Sequence, residues 1–328
     1  MKPIFESLAS FRSCDSILLL GATGLFGRHL LPVLINFFDQ SISPTPITIV
    51  TRNKSRFNSS FPKLQRPYIK IIEHDFSIPG SLNIDTPPTH ILHMANTSAA
   101  DTFKSVSQYE KYLLLLNSAQ SLIPLLSSHR TARVVFTSSG VAYGPNSDYS
   151  ESTISSVDHL SPSSSLAFGK LTSEYILSHN CNKLSIDISI ARCFSFISPF
   201  IPLDVHYAIG NFISSALNNR DIIIRTDGND IRSYQHVHDA VSWLLFLLTT
   251  DSPPRILNIG SDIPISIRDL AQLVRSILNP SINIQILNEL PLDHNLRRSY
   301  YVPELNLAYS LGLVNNISLQ SAIEHFLG

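Results

Sequence analysis

Short apolar runs alternate with longer stretches in which hydrophobic positions recur at helical spacing, and this alternation carries through the first two-thirds of the chain. Ser16–Leu20, Ile47–Val50, Ile69–Ile72, His90–Met94, Arg133–Thr137 and Ile186–Ala191 read as strands with few polar interruptions. A strand with one wet face alternates polar and apolar residues, whereas a strand buried on both faces does not. These runs therefore predict a parallel sheet covered by helices on both sides. Helix-length segments fall between them at Phe26–Phe38, Ser107–Ser127 and Phe168–His179. Beyond Arg192 the alternation weakens, and Pro199, Pro202, Pro253 and Pro254 interrupt it. The expected organisation is an α/β domain over 1–191, rejoined by about 232–262, and a smaller α/β domain over 192–328.

Composition narrows the picture. The 328 residues suffice for a sizeable core, and 44% apolar against 15% charged residues is the balance of a globular chain. A net charge of −1 without a basic run excludes the clustered positive footprint of a nucleic-acid binder. Runs such as Ile17–Leu20, Leu113–Leu116 and Trp243–Leu248 fall far short of the ~20 residues that span a bilayer. Cys14, Cys181 and Cys193 lack metal-ligand spacing and cannot all pair, and Met1–Asp15 lacks a signal-peptide pattern. A reducing, cytoplasmic setting is the expectation. His236 and His238, two residues apart, do not make a zinc site by themselves.

The sharpest local signal is Gly21-Ala-Thr23-Gly24-Leu25-Phe26-Gly27 after the first strand. Gly21 can turn where a Cβ would clash, and Gly24 lets the backbone approach an anion. The opening helix then offers N–H groups and the positive end of its dipole. A glycine triplet at the end of the first strand of an α/β pattern predicts a dinucleotide pyrophosphate there, and so a doubly wound, Rossmann-type sheet. At the end of the second strand, where an NAD enzyme usually places a carboxylate, stands Thr51, followed by Arg52, Lys54 and Arg56. The planar fork of Arg52 suits a 2′-phosphate, which favours NADP(H), with NAD(H) as the alternative.

Later segments resemble the extended short-chain dehydrogenase/reductases, specifically the NAD(P)-dependent nucleotide-sugar epimerase/dehydratase family, over about residues 16 to 315. His74-Asp75-Phe76 resembles the segment beside the adenine, and Ile91-Leu-His-Met94-Ala95 the fourth strand running past the cofactor. Asn117 stands where the family has a helix asparagine. Phe136-Thr-Ser-Ser139-Gly-Val-Ala-Tyr143-Gly144 resembles "SSxxVYG" and places Ser139 at the family's catalytic serine. Ala191-Arg-Cys-Phe-Ser195-Phe-Ile-Ser198-Pro199 is similar to "RxFNxxGP", with serines for the asparagine and the glycine. Asp227-Gly228 through Asp239 resembles "GdGxxxRdyixVxD", which implies that Arg232 grips a nucleotide-sugar diphosphate. Arg298 or Arg297 would be the second such arginine, although the family's spacing is not reproduced. His206, Tyr207 and Asn211 would face the sugar, and a homodimer formed through paired helices is also implied.

One departure stands out. The family relies on Tyr-x-x-x-Lys after the serine, the tyrosine passing a proton as hydride moves. Lys170 stands at the lysine position, but four residues earlier is Leu166, and no tyrosine in the chain has a lysine four residues later. Tyr143 and Tyr149 are poor substitutes, the first structural in the family and the second in a loop expected to be exposed. Gly140 and Val141 follow Ser139 where family dehydratases carry acidic residues and decarboxylases a glutamate. The resemblance leaves 4-epimerisation or 4-keto reduction of a nucleotide-activated sugar, with Ser139 and Lys170 as catalytic residues and Lys170 also able to hydrogen-bond the nicotinamide ribose. The reading from another class is a catalytically silent NADP(H)- and nucleotide-sugar-binding protein.

Overall fold

The computed structural model describes residues 7–95, 106–128, 131–146, 148–201, 203, 207–287 and 299–327. In chain order the first elements are β1 (Ile17–Leu20), α1 (Leu25–Phe38), β2 (Ile47–Thr51), α2 (Lys54–Ser60), β3 (Ile69–Glu73), β4 (His90–His93), α3 (Gln108–Gln120), β5 (Arg133–Ser139), α4 (Ser165–Lys183) and β6 (Asp187–Cys193). They are followed by β7 (Phe196–Ile197), α5 (Ala208–Leu217), β8 (Ile222–Ile224), β9 (Ile231–Arg232), β10 (Gln235–His236), α6 (Val237–Thr249), β11 (Ile256–Ile259), β12 (Ile265–Ser266), α7 (Ile267–Leu278), β13 (Ile284–Ile286) and β14 (Tyr300–Tyr301).

Seven strands form one sheet in the order β11-β6-β5-β4-β1-β2-β3. Its pairings from β3 to β6 are parallel, in registers such as Leu20↔His93, Leu20↔Val50 and Ser139↔Cys193. This is the doubly wound sheet that the unbroken apolar runs imply. The order reverses between β1 and β4, so the chain moves outward from β1 in both directions. The chain forms two compact units, one of Met1–Pro145, Ile154–Cys193 and Ala240–Leu257, the other of Asn146–Thr153, Phe194–Asp239 and Asn258–Gly328. The second unit contains the parallel pair β8–β13 and the three-stranded sheet β12-β9-β14.

Local chemistry explains where the helices start and stop. The buried positions of α1 are Gly27, Leu30, Leu31, Leu34, Ile35 and Phe38, the stripe expected of a helix lying on a sheet. Ser107 and Glu110 close a capping box at the start of α3, each side chain bonding the other residue's backbone N–H. The expected single helix over 107–127 is broken: α3 ends at Gln120, and Pro124 sits in the first turn of a separate short helix, Ile123–Leu126. A proline lacks the N–H that a continuous helix would need there. The expected helix over 168–179 is longer, because Ser165–Leu166–Ala167 already turn with it.

Two further features depart from the sequence pattern. Tyr149, expected in an exposed loop, is 6% exposed and lies edge-on to Phe194 and Tyr301 within the second unit. The buried positions of α4 are Gly169, Lys170, Ser173, Glu174, Leu177, Ser178 and Cys181, of which only Leu177 is a large hydrophobe. Gly169 allows α3 to come close, since a Cβ there would lie 2.7 Å from Leu115 Cδ1. Ser173 donates to the Leu115 carbonyl at 3.1 Å across the same contact.

The sheet interior also holds His93, which is completely buried, stacked with Phe76 at 6.4 Å and edge-on to Phe136 at 5.1 Å. Burial, with the charge of Lys170 adding to it, pushes its pKa down to about 3. The unfolded imidazole takes up a proton near pH 6.5, whereas the folded one resists until about 3. Its contribution to stability is therefore complete above pH 6.5 and is lost as the pH falls below that. The melting temperature should decline between pH 7 and 4, and His93→Leu should flatten part of that decline. His90 and His236, also lowered by burial, should keep the remainder. An unchanged slope in His93→Leu by scanning calorimetry would contradict the assignment.

Candidate functional site

Carboxyl ends of β1 to β5 share one edge of the sheet, and most of the sequence-predicted residues of the first unit gather there. Gly21 follows β1 with φ +86°, and a Cβ on it would fall 2.6 Å from Ala95 N and Met94 C at the end of β4. Only glycine fits that close approach at the point where the strand order reverses. Gly27 packs on the same turn, where a Cβ would meet Ala22 backbone at 2.4 Å. Gly24 is different: it is exposed, and its Cβ would meet only Gly21 O, at 3.2 Å. Gly24 is also the N-cap of α1, with no side chain capping the helix. The opening of α1 thus lies uncovered beside exposed Thr23, while Leu25 and Phe26 are half-buried in its first turn. Backbone N–H groups and a helix dipole, without a Cβ in the way, make a cradle for an anion.

Beyond β2, the cationic loop has its own order. Asn53 caps α2 by accepting the Arg56 N–H at 2.7 Å, and Arg52, Lys54 and Arg56 are all exposed. Two carboxylates from the end of β3 face this loop. Glu73, in register with Thr51, accepts the Lys54 N–H at 2.9 Å. Asp75 accepts the Ser77 N–H, which with the charge of Arg52 holds its carboxyl below the usual range. Glu73 was not singled out by the sequence reading, because only the parallel register places it beside the end of β2.

At the other end of the edge, Ser139 closes β5 and caps a short 3₁₀ turn over Gly140–Tyr143, its Oγ accepting the Val141 N–H at 3.3 Å. Ser139 is half-buried, as is Leu166 in the first turn of α4. Lys170, one turn further along the same face, is 2% exposed, and its Nζ donates to the Thr137 carbonyl at 2.8 Å. Burial lowers its pKa to about 7, against the opposing influence of Cys193 and Glu174. Glu174, a further turn on, accepts from Ser138 Oγ and from Arg192, at 3.2 Å from Nε and 2.8 Å from an Nη. The Arg192 guanidinium lies 4.3 Å over the Tyr143 ring. Serine, lysine, glutamate and arginine are thus knitted around the end of β5.

The profile of the NAD dependent epimerase/dehydratase family matches residues 17–260. This chain belongs to that family. It is 26% identical over 307 residues to UDP-glucuronic acid decarboxylase 5 of Arabidopsis thaliana, spanning 90% of this chain and 85% of the relative. Decarboxylase 3 of the same plant is 26% identical over 291 residues. A UDP-N-acetylglucosamine 4-epimerase from Methanobrevibacter ruminantium M1, solved with UDP-N-acetylmuramic acid, superposes with a TM-score of 0.76 at 17% identity, covering 95% of this chain and 97% of that one. UDP-glucuronic acid 4-epimerase from Bacillus cereus, solved with UDP-glucuronic acid and NAD, gives 0.76 at 20% identity, covering 94% and 96%.

Seen as an epimerase/dehydratase family chain, the placement of the expected residues is uneven. Gly21, Thr23, Gly24, Leu25, Phe26, Gly27, Arg52, Asp75, Met94, Ala95 and Ser139 all stand on or next to the one sheet edge. Phe76 is adjacent, but its side chain is 7% exposed and turned into the core against His74 and His93. Asn117 is buried in α3. Asn211 and Arg232 belong to the second unit, Asn211 in α5 and Arg232 in β9. Arg232 donates to the carbonyls of Ile231 and Ser299 and lies 3.6 Å from Asp230. His206, Arg297 and Arg298 lie outside the described residues. Glu174 and Arg192 carried no signal as a pair, since nothing local ties residues 18 positions apart. Among the described residues no cluster of ligands could hold a metal ion, and no helix is long and apolar enough to cross a membrane.

Two substitutions probe this arrangement. Gly27→Ala should cost roughly 1–3 kcal/mol by forcing α1 away from the backbone at Ala22, measurable by urea denaturation. Lys170→Met should do the reverse. A buried lysine whose folded pKa lies near 7 destabilises the chain by a cost that is absent above pH 10.5, grows as the pH falls through the range where only the unfolded amine is protonated, and is complete below about 7, where the charge itself is buried. Removing it should stabilise the chain at pH 7 by roughly 1–3 kcal/mol. A less stable Lys170→Met protein would overturn the reading of Lys170 as a residue kept against stability.

Proposed function

We propose that this chain is an NADP(H)-dependent enzyme acting on a nucleotide-activated sugar, as a 4-epimerase or a 4-ketoreductase. The observation that carries the proposal is the single sheet edge bearing a helix opening at Gly24 that no side chain caps at one end, and Ser139 and Lys170 at the other. Gly21, Gly24 and the first turn of α1 fit a pyrophosphate, and Arg52 fits a 2′-phosphate through its bidentate fork. The bound nicotinamide would supply hydride transfer at one carbinol or keto carbon. Ser139 would orient the sugar oxygen by hydrogen bonding. Lys170 would hold its side of the site through the Thr137 carbonyl. In the second unit, Asn211, Arg232 and Arg298 would bind the nucleotide sugar, Arg232 exchanging a carbonyl partner for a diphosphate oxygen. NAD(H) is the second reading for the cofactor, favoured by Glu73, whose carboxylate stands beside the end of β2 and could receive a ribose hydroxyl. The NAD-bound neighbour supports the same reading.

The sequence relatives are decarboxylases, but Gly140 and Val141 follow Ser139, leaving no glutamate for that chemistry in this loop. The rival to an active enzyme is a protein that binds both ligands without turnover, and Leu166 favours it: a leucine at the tyrosine position carries no proton. We assign the chain to the cytoplasm and to a homodimer formed through α3 and α4, where Tyr109 and Tyr175 are each 69% exposed.

Purified protein mixed with NADPH and a panel of nucleotide 4-keto sugars should lose nicotinamide fluorescence. Losing a general acid typically costs about 10²–10⁴ in rate, so Leu166→Tyr should raise turnover by about 10²-fold. Binding without oxidation in both proteins would favour the silent reading, and no affinity for NADPH, NADP⁺, NADH or NAD⁺ would end the proposal. Arg52→Ala should weaken NADPH by roughly 10-fold while leaving NADH within about 2-fold, as expected for one charge-assisted phosphate contact. Equal losses for both cofactors would assign NAD(H) instead.

A further inference from the structure

The buried face of α4 spends a helix's packing surface on a lysine and a glutamate one turn apart, and a stability-driven core would not choose them. Glu174 is 8% exposed and Arg192 6%. Between them run two bonds, from Nε at 3.2 Å and from an Nη at 2.8 Å, and Ser138 Oγ gives the same carboxylate a third. Through these contacts one carboxyl group touches three elements that frame the site. Ser138 is the neighbour of Ser139 on β5. Arg192 stands on β6 and lies over Tyr143, which closes the turn that Ser139 caps. Glu174 itself stands one helical turn beyond Lys170 on α4.

Replacing a buried ion pair by hydrophobic groups of similar size is often neutral or stabilising, so stability alone does not account for Glu174 and Arg192 here. A bidentate pair does supply fixed geometry, because the guanidinium fork holds a carboxylate plane in one orientation. We propose that Glu174 is a positioning residue for the reaction: clamped by Arg192, it sets the placement of Ser138, and hence of Ser139, relative to the helix that carries Lys170. The inference rests on the reading above that Ser139 and Lys170 serve the site, and it assigns Glu174 no contact with substrate or cofactor.

Charge links the same groups. Lys170 faces Glu174 on its own helix, Cys193 on β6, His93 on β4 and the Thr137 carbonyl on β5. Of these, His93 is neutral at working pH and burial pushes the Cys193 thiol up to about 12, which leaves Glu174 as the nearby anion that favours the lysine's charged form.

The test uses the full chain with lysine ε-carbons labelled for NMR, the Lys170 signal being assigned by its loss in Lys170→Met. In Glu174→Gln, the Lys170 titration midpoint should fall by about one unit, the usual scale for losing an opposite charge close by. Turnover of a 4-keto sugar should drop about 10- to 100-fold in kcat, with KM within about 3-fold, because a misplaced group costs rate more than binding. The double variant Glu174→Met/Arg192→Met guards against a folding explanation. It should regain the melting temperature lost by Glu174→Gln without regaining either the midpoint or kcat. Wild-type midpoint and kcat in Glu174→Gln, or recovery of both in the double variant, would overturn the proposal. Should the unaltered protein turn over no sugar, the functional reading fails, while the Lys170 midpoint still decides whether Glu174 governs that amine.

Discussion

Where β1 ends, two stretches of backbone come closer than any side chain permits: a Cβ on Gly21 would lie 2.6 Å from the peptide joining Met94 to Ala95. This approach occurs at the point where the strand order turns back on itself: the chain leaves β1 for β2 on one side and crosses back to β4 on the other, both parallel to β1. The conflict between two strand ends and one turn is resolved by removing a methyl group. Gly27 does the same one helical turn later, where α1 must lie directly on Ala22. With those two contacts made, the axis of α1 is set, and its N-cap, Gly24, is exposed and has no side-chain cap. The position of everything further along the edge follows from the sheet's parallel registers.

How much of this could be read from sequence depended on the range of the interaction. Strands buried on both faces announce themselves as unbroken apolar runs, and the six read that way are all strands of the main sheet. The glycine loop was legible because its signature is local, spanning seven residues, although the approach that demands Gly21 comes from Met94 and Ala95. Helix ends were less so. The break after Gln120 lay in Pro124, which an apolar pattern spanning both helices concealed, and the early start of α4 at Ser165 had no strong cap to mark it. Tyr149 looked exposed because it sits among serines and two acidic residues, Asp148 and Glu151, yet it is covered by Phe194 and Tyr301, more than 40 positions away at the nearer.

The site itself divides along the same line. Ser139 and Lys170 were found through a resemblance in motif, but the depth of Lys170 was not, because burial is a property of what surrounds a helix. Glu73 becomes relevant only through the register Thr51↔Glu73, and Glu174 only through a strand that follows it in sequence. Membership of the epimerase/dehydratase family accounts for the frame shared with distant neighbours. Leu166 stands half-buried one helical turn before Lys170, and the buried side of α4 beyond it is mostly polar.

The division of the chain has a consequence for how the molecule is made. Because the sheet-bearing unit needs residues 240–257 and the other needs both 146–153 and the stretch to the C-terminus, neither corresponds to a continuous stretch of polypeptide. On the ribosome, the first 193 residues would emerge with six strands ready and the seventh still unsynthesised, leaving the flank of β6 open to mispairing. Closure waits for partners far along the chain, a topology associated with slow folding. Simple truncation therefore cannot yield half of this protein, and a cut-and-paste exchange of one unit would require several junctions instead of one.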